Sequence, residues 1–569
     1  MARMTNHRVK WQAFSWSVLL GLGLASAHAA PPDWAADAVW YQVLVSRFCN
    51  GAPANDPPRT QPWTDDWARL MPGEEPPLYR RLFYRQYGGD LQGLRIRLPY
   101  LESLGVNTVY LNPIFVAPSE HKYDTADHRH IDATYSLGAG PDEGADETAD
   151  PTTWRWRPGD RYFLDLVAEM HRRGMRVVLD GVFNHVGREF WAFKDVLARG
   201  EASPFARWFD VTDWGPPLQY QAWDGPNGSM PRFRRSGDGL DPDVEAYLFA
   251  VTRRWLDPNG DGDPSDGVDG WRLDAAEQVP HGFWRRFRRV VKQANPQAII
   301  LGEIWIDAGD WLGGDKFDIV TNYRFCTPVI EFLRSGRSRL PATGCVDALR
   351  GLHDQYPRAT TLAMANLLDS HDTERIVTML ADPTSRAAQG DGEVPRRDLL
   401  TPVPEDYARQ MLAVLVQFTW PGAPMVYYGD EVGMSGGDDP FCRAPMRWDL
   451  TESEQGTGRL VSIYRALARL RTEHVELRRG ECRVLYADDV AGVVAFERFL
   501  GRRRTIAIVN AGTERQVVRI NTGLTRFDGV QMLDSKGWHA GGEVATSDGM
   551  LRVAVGPLAA IVCWGEATR

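Results

Sequence analysis

The chain has 569 residues, 43% of them apolar and 25% charged, with 54 glycines and 37 prolines. That length and mixture suit a large globular unit with accessory parts and exclude a disordered or fibrous chain. A formal charge of -10 excludes a surface built to neutralise nucleic-acid phosphates and suits a neutral polar partner.

Residues 1–29 read as an export signal. Arg3, Arg8 and Lys10 supply positive charge, residues 11–24 are mostly apolar, and Ala27, His28 and Ala29 form a small-x-small cleavage pattern. The apolar run is shorter than the roughly 20 residues that span lipid, so the mature protein is expected to begin near Ala30 and to reside in the periplasm or outside the cell. Six cysteines follow, Cys49, Cys326, Cys345, Cys442, Cys482 and Cys563. Their spacing fits no metal or redox motif, and a local bridge between Cys326 and Cys345 stays open.

Short β-rich runs alternate with amphipathic helical runs over most of the chain. Strands are expected at 38–45, 107–114, 175–182, 270–274, 298–305, 317–323, 362–369 and 423–428. Helices are expected at 91–104, 161–173, 244–256, 283–294, 407–418 and 460–470, where apolar residues recur at three- and four-residue spacing. Eight such strands predict an α/β fold, a (β/α)₈ TIM barrel. The connection after the third strand is too long for an ordinary loop and predicts an inserted subdomain at 186–241. Its aromatic residues Trp208, Phe209, Trp214 and Trp223 are candidates both for a small core and for the wall of a cleft. A Pro- and charge-rich connection runs from 382 to 404. The barrel thus occupies 30–185 and 242–475, and short alternating strands from 476 to 569 predict a C-terminal antiparallel β domain, a β-sandwich.

Acidic residues fall where the strands end. Asp180, Asp274, Glu303 and Asp372 each follow a strand run, at the face where barrels carry their active sites. Carboxylates converging there suit cleavage of a glycosidic acetal, which needs one acid to protonate the leaving oxygen and one carboxylate to attack or to activate water. Arg272, two residues before Asp274, points to the same side of its strand and can hold that carboxylate ionised. The 21 tryptophans offer flat faces to sugar rings, beside their role in packing.

The stretches 180–185 (DGVFNH), 270–274 (GWRLD), 302–305 (GEIW) and 370–372 (SHD) resemble the four signature regions of the α-amylase family of glycoside hydrolases, and 106–114 and 425–433 add two more. The resemblance implies Asp274 as nucleophile, Glu303 as general acid/base and Asp372 as the residue that grips the sugar. It implies hydrogen bonds to substrate from His185 and His371, orientation of the nucleophile by Arg272, and a stacking face from Tyr123, with Asp180 supporting the scaffold. The stretches 121–127 (HKYDTAD), 311–315 (WLGGD) and 370–375 (SHDTER) are most similar to the cyclomaltodextrinase, neopullulanase and maltogenic amylase group. Two departures stand out: Arg234 after 230–233 (MPRF), where an Asn is usual, and a first barrel strand that begins soon after the signal, without the group's extra N-terminal domain. The latter predicts a monomer with an open cleft.

Two loops are candidates for structural Ca²⁺. Asn50, Asn55 and Asp56 with the turn Gly88 and Asp90 resemble an N-terminal calcium site of relatives that form or degrade cyclodextrins. Asp257, Asn259, Asp261 and Asp263 carry oxygens at alternate positions, as in a calcium loop, but Val268 replaces the bidentate Glu; the alternative is a turn capped by its own side chains. Gln278 stands where many calcium-dependent α-amylases have a residue whose backbone contributes to their conserved calcium site, so the resemblance implies that this site is altered or absent. No organic cofactor is expected. The activity expected is retaining, endo-type hydrolysis of α-1,4 bonds in maltooligosaccharides, starch fragments or cyclodextrins. The alternatives are a glucosidase or glucosyltransferase acting on sucrose or α-1,6-linked oligosaccharides, and a non-catalytic glucan-binding protein.

Overall fold

The structure, a computed structural model, describes residues 29–567 apart from 65, 66, 68, 70, 72–76, 137–145, 337–338, 382–401, 452–457, 525 and 548. The expected signal therefore lies, but for its last residue, outside the described residues, as does most of the connection at 382–404.

Eight parallel strands form one sheet: β1 (Trp40–Val43), β2 (Thr108–Leu111), β3 (Arg176–Gly181), β4 (Gly270–Leu273), β5 (Ile299–Gly302), β6 (Ile319–Val320), β7 (Ala365–Leu367) and β8 (Ala423–Tyr427). Their order is β6-β5-β4-β3-β2-β1-β8-β7, and a parallel bridge from Thr321 to Ala365 closes the ring. Each expected strand contains its observed one. Nearly every residue in them is buried, as a parallel sheet covered on both faces requires, and this is why they read as apolar runs rather than alternating ones. Gly302 is needed at the end of β5, because a Cβ there would lie 2.6 Å from the Phe317 ring.

The covering helices include α1 (Leu91–Ser103), α2 (Pro158–Arg172), α3 (Pro242–Leu256), α4 (His281–Ala294), α5 (Tyr323–Leu333), α6 (Ala342–Gln355), α7 (Pro404–Thr419) and α8 (Gly458–Glu473). In α2 the buried side is Phe163, Leu166, Val167 and Met170, one stripe at helical spacing. The connection at 186–241 folds as a helix, Trp191–Arg199, and two short ribbons. Its apolar residues do not form a separate core. Phe190, Phe193, Trp208, Phe209 and Phe233 belong to the same buried cluster as the barrel, since α3 and the strand-end loops supply the surface they cover.

Nine antiparallel strands complete the chain: β9 (Glu481–Asp488), β10 (Val493–Leu500), β11 (Arg503–Asn510), β12 (Gln516–Asn521), β13 (Gly529–Asp534), β14 (Gly537–Ala540), β15 (Glu543–Ser547), β16 (Met550–Val555) and β17 (Ala559–Glu566). They make a six-stranded sheet, β9-β10-β11-β17-β13-β14, and a three-stranded one, β12-β16-β15. Alternate residues of β10 face opposite ways: Val494 and Phe496 join the barrel cluster, Val493 and Ala495 the sandwich core. The Phe496 ring meets Trp420 edge-on at 5.0 Å.

The bridge left open between Cys326 and Cys345 is not formed; all six cysteines are free. The Cys326 thiol donates to the Tyr323 carbonyl of its own helix at 3.0 Å, whereas Cys345 lines an apolar gap with Val329, Phe332 and Leu349. Among the described residues no helix is long and apolar enough to cross a membrane.

Candidate active site

The strand ends deliver the acidic residues to one place. Arg272 of β4 is 1% exposed and its guanidinium joins three carboxylates: Nη1 lies 2.9 Å from Asp180 and 2.9 Å from Asp274, and Nη2 lies 3.1 Å from Glu303. A lone buried cation would be costly, and three opposed carboxylates offset that cost. Glu303 is further fixed by two donors, the Ala275 amide at 2.7 Å on Oε2 and the Trp305 indole at 3.1 Å on Oε1. Ala275 stands at φ 45, a left-handed conformation uncommon outside glycine and one that collects at functional sites.

Burial first, and then the charge of Glu303, pushes the Asp274 carboxyl well above the usual carboxylate range. Two neighbouring carboxyls cannot both ionise freely. Asp180, fully enclosed, is pushed up to about 6 by burial, while Tyr110 and Tyr123 donate to it at 2.6 and 2.9 Å. It touches Arg272 from behind.

On the other side, Asp372 accepts from Arg443 at 3.1 Å and lies 3.1 Å from His371 Nε2. Gln42 donates to His371 Nδ1 at 2.9 Å, which leaves the ring hydrogen on Nε2, toward Asp372 and the Tyr123 hydroxyl. Burial, reinforced by Arg443 and Arg272, holds His371 well below the usual histidine range, so the ring is neutral. Tyr123 stacks on His371 at 5.3 Å and 7°; that face is occupied by a neighbour. His185, at the end of β3, accepts from the Asn184 amide through Nδ1 at 3.1 Å. Its buried Nε2 has no well-formed hydrogen bond, and burial lowers its pKa to about 3.

All seven residues expected at the site, Tyr123, His185, Arg272, Asp274, Glu303, His371 and Asp372, thus gather in one network. Sequence reasoning missed Gln42, Trp305 and Arg443, and also Asn112, which accepts from Gln42 at 3.1 Å and donates to the Tyr123 hydroxyl at 2.9 Å. Of the four aromatic candidates in the insertion, Trp208 and Phe209 are core, and Trp223 is the one set over the site, 53% exposed and 5.5 Å from His185. Trp305 is also open to solvent and stacks on Tyr323 at 3.5 Å.

The metal candidates separate into two kinds. At 50–90, Asn50 donates to Asp56 at 2.8 Å, and the buried amide oxygens of Asn50 and Asn55 lack a donor. Gly88, at φ 74, closes over them, and a Cβ there would fall 2.2 Å from Asp56. Asp90 is otherwise engaged, accepting from the amides of Gly51, Ala52 and Gly93. At 257–263 the side-chain oxygens accept the loop's own amides, Gly260 and Gly262 onto Asp257, Asp261 onto Asn259, and Asp263 onto Asp261. Among the described residues no group of three His, Cys, Asp or Glu side chains is placed to hold a metal.

A family model for the catalytic domain of alpha-amylase matches residues 42–143 and 159–459. The chain belongs to the alpha-amylase family. Within that family, neopullulanase 2 of Thermoactinomyces vulgaris is 39% identical over 94% of this chain and 78% of its own length. A cyclomaltodextrinase of a Bacillus species is 37% identical over 87% and 76%. Among solved structures, the cyclic α-maltosyl-(1→6)-maltose hydrolase of Arthrobacter globiformis aligns with a TM-score of 0.71 at 30% identity, covering 95% of this chain and all of that one.

Proposed function

We propose that the protein is a retaining, endo-acting hydrolase of α-1,4-glucosidic bonds in maltooligosaccharides, starch fragments or cyclodextrins. The observation that carries this reading is the single guanidinium of Arg272 shared by Asp274 and Glu303, which sets two carboxyls on adjacent strands around one point. Catalysis requires the proton on Glu303 and the charge on Asp274, beside Arg272. Glu303 gives its proton to the leaving glycosidic oxygen as Asp274 attacks the anomeric carbon. The C–O bond breaks, and a covalent glycosyl ester forms. Glu303, now a carboxylate, takes a proton from water, which attacks the anomeric carbon and breaks its bond to Asp274, releasing that carboxylate. Asp372, oriented by Arg443, accepts sugar hydroxyls. His185 and His371, both neutral, donate to them. A sugar hydroxyl in place of water gives transfer instead of hydrolysis.

The test is a product time course on maltoheptaose, β-cyclodextrin and pullulan with wild type and Glu303→Gln. The variant is expected to lose about 100-fold or more in rate, the scale of general-acid assistance; unchanged cleavage would overturn the assignment. Faster opening of the ring than of the linear chain marks a cyclomaltodextrinase, and release of panose from pullulan marks a neopullulanase.

Calcium is part of the same proposal. The donor-free amide oxygens of Asn50 and Asn55, with Asp56 and the Gly88 turn, fit a hard cation, and Asp90 shapes the loop. Just beyond the loop at 257–263, Asp266 places a buried Oδ1 without a side-chain partner beside it. The ion would tie loop to barrel and take no part in bond cleavage. Adding a chelator is expected to lower Tm in wild type and to change it less in Asp56→Ala; equal shifts in both would remove calcium from the first loop.

The export expectation gives a periplasmic or secreted enzyme, met by its glucans outside the cytoplasm.

A further inference from the structure

Arg235 is an unusual cation. It sits half-buried in the insertion at the foot of a short ribbon, and burial lowers its pKa to about 10. Among the described residues no carboxylate pairs with it. Its guanidinium is instead held by neutral oxygens from three separate segments. Nη1 donates to the Phe233 carbonyl at 2.7 Å, and Nη2 donates to the Gln278 carbonyl at 2.9 Å and to the side-chain oxygen of Asn184. Asn184 ends the β3 region, Phe233 belongs to the insertion, and Gln278 lies in the turn Ala276–Gln278 that follows Asp274. A half-buried guanidinium bound by neutral oxygens alone ties those three segments to one point.

What it organises is next to the sugar-binding histidine. An asparagine amide has two ends, and which way it points is set by its partners. The guanidinium can take only the oxygen, so the Asn184 NH₂ must face the other way, where it donates to His185 Nδ1 at 3.1 Å. With Nδ1 an acceptor, the neutral ring carries its hydrogen on Nε2. That is the atom left without a well-formed hydrogen bond. The same guanidinium fixes the far end of the turn whose first amide, Ala275, donates to Glu303.

We propose that Arg235 is a positioning residue for glycosidic cleavage: as a built-in cation it locks the Asn184 amide, and through it keeps His185 in the Nε2–H form. The inference rests on the hydrolase reading for its kinetic arm alone. Arg232, across the insertion, pairs with Asp210 at 2.6 Å and supplies no substitute charge at this point.

The test uses the full chain with Arg235→Met, which keeps the apolar stem, and Arg235→Lys. Arg235→Met is expected to lower kcat/KM on maltotriose by roughly 10- to 100-fold, the range for residues that orient a functional ligand, while in a His185→Ala background it adds little. Millimolar guanidinium, far below denaturing levels, is expected to restore activity to Arg235→Met and to leave His185→Ala unchanged. The ¹⁵N spectrum of the His185 ring is expected to show one Nε2–H tautomer in wild type and a mixture in Arg235→Met. Losses that multiply independently in the double variant, no rescue by guanidinium, or an unaltered tautomer would each overturn the proposal. If wild type cleaves no glucan, the hydrolase reading fails, and the ring spectrum still decides the role of Arg235. Should Arg235→Met not fold, Arg235→Gln, which also removes the charge, carries the same measurements, and Arg235→Lys is expected to retain more activity than either.

Discussion

His128 is the clearest case of a histidine that serves packing rather than chemistry. Its ring lies within 6.1 Å of Phe115, Phe183, Phe190 and Tyr247, and Nε2 donates to the Val182 carbonyl at 3.0 Å. Burial pulls its pKa from 6.5 to about 4. The sign follows by linkage: below about pH 6.5 the unfolded chain takes up a proton that the native ring resists, so this group removes stability as pH falls from about 6.5 toward 4 and none above that window. Replacing it, as in His128→Gln, is expected to shrink the loss of Tm between about pH 7 and pH 4.5 relative to wild type. An equal loss in both proteins would show that the ring titrates freely. At this scale the sequence was legible where a residue ends a strand. Asp180, Asp274, Glu303 and His371 each follow an apolar run, so their common face could be inferred before any contact was known. Gln42, Arg443 and Arg235 were not legible, because each acts on a partner brought near by the closed ring. Gln42 and His371 are 329 positions apart, and no local pattern records that pairing.

The helix α6 shows how one element can be finished by another. Its first turn has no side-chain cap of its own after Pro341. Asp489, from the turn between β9 and β10, accepts from the Thr343 amide at 2.8 Å and from its hydroxyl, serving as an N-cap supplied from the C-terminal domain. Asp489→Ala is expected to cost about 1 kcal/mol, the usual worth of such a cap, read as a lower midpoint in urea. A midpoint unchanged from wild type would mean that solvent satisfies this helix end equally well. Among α1 to α8, it was α5 and α6 that the sequence reading did not contain. Pro328 sits inside α5, where a proline ordinarily signals a break, and Gly344 and Gly351 dilute the pattern of α6. The barrel strands, by contrast, were plain, since burial on both faces writes a continuous apolar run.

On the scale of the molecule, the C-terminal sandwich is bound to the barrel by packing and by charge. Arg498 of β10 is fully buried and donates to the carbonyls of Thr419, Leu477 and Gly480, closing the ends of barrel helices that would otherwise present unpaired oxygens. Trp420 and the apolar side of α7 lie against the same sheet. A chain cut after Arg479 is therefore expected to lose solubility and to elute as aggregate in size-exclusion chromatography. A monomeric, active truncated barrel would show that this interface is dispensable. The β domain itself was visible in the alternating pattern of its strands. Which of its faces meets the barrel was not, because both faces of β10 are apolar and only the assembled structure assigns them.

The unlinked thiols have a consequence for the chain's tolerance of reductants. With all six thiols unlinked, packing and polar contacts rather than disulfides hold the chain's parts together, so a thiol reductant such as dithiothreitol should leave its melting temperature where it was.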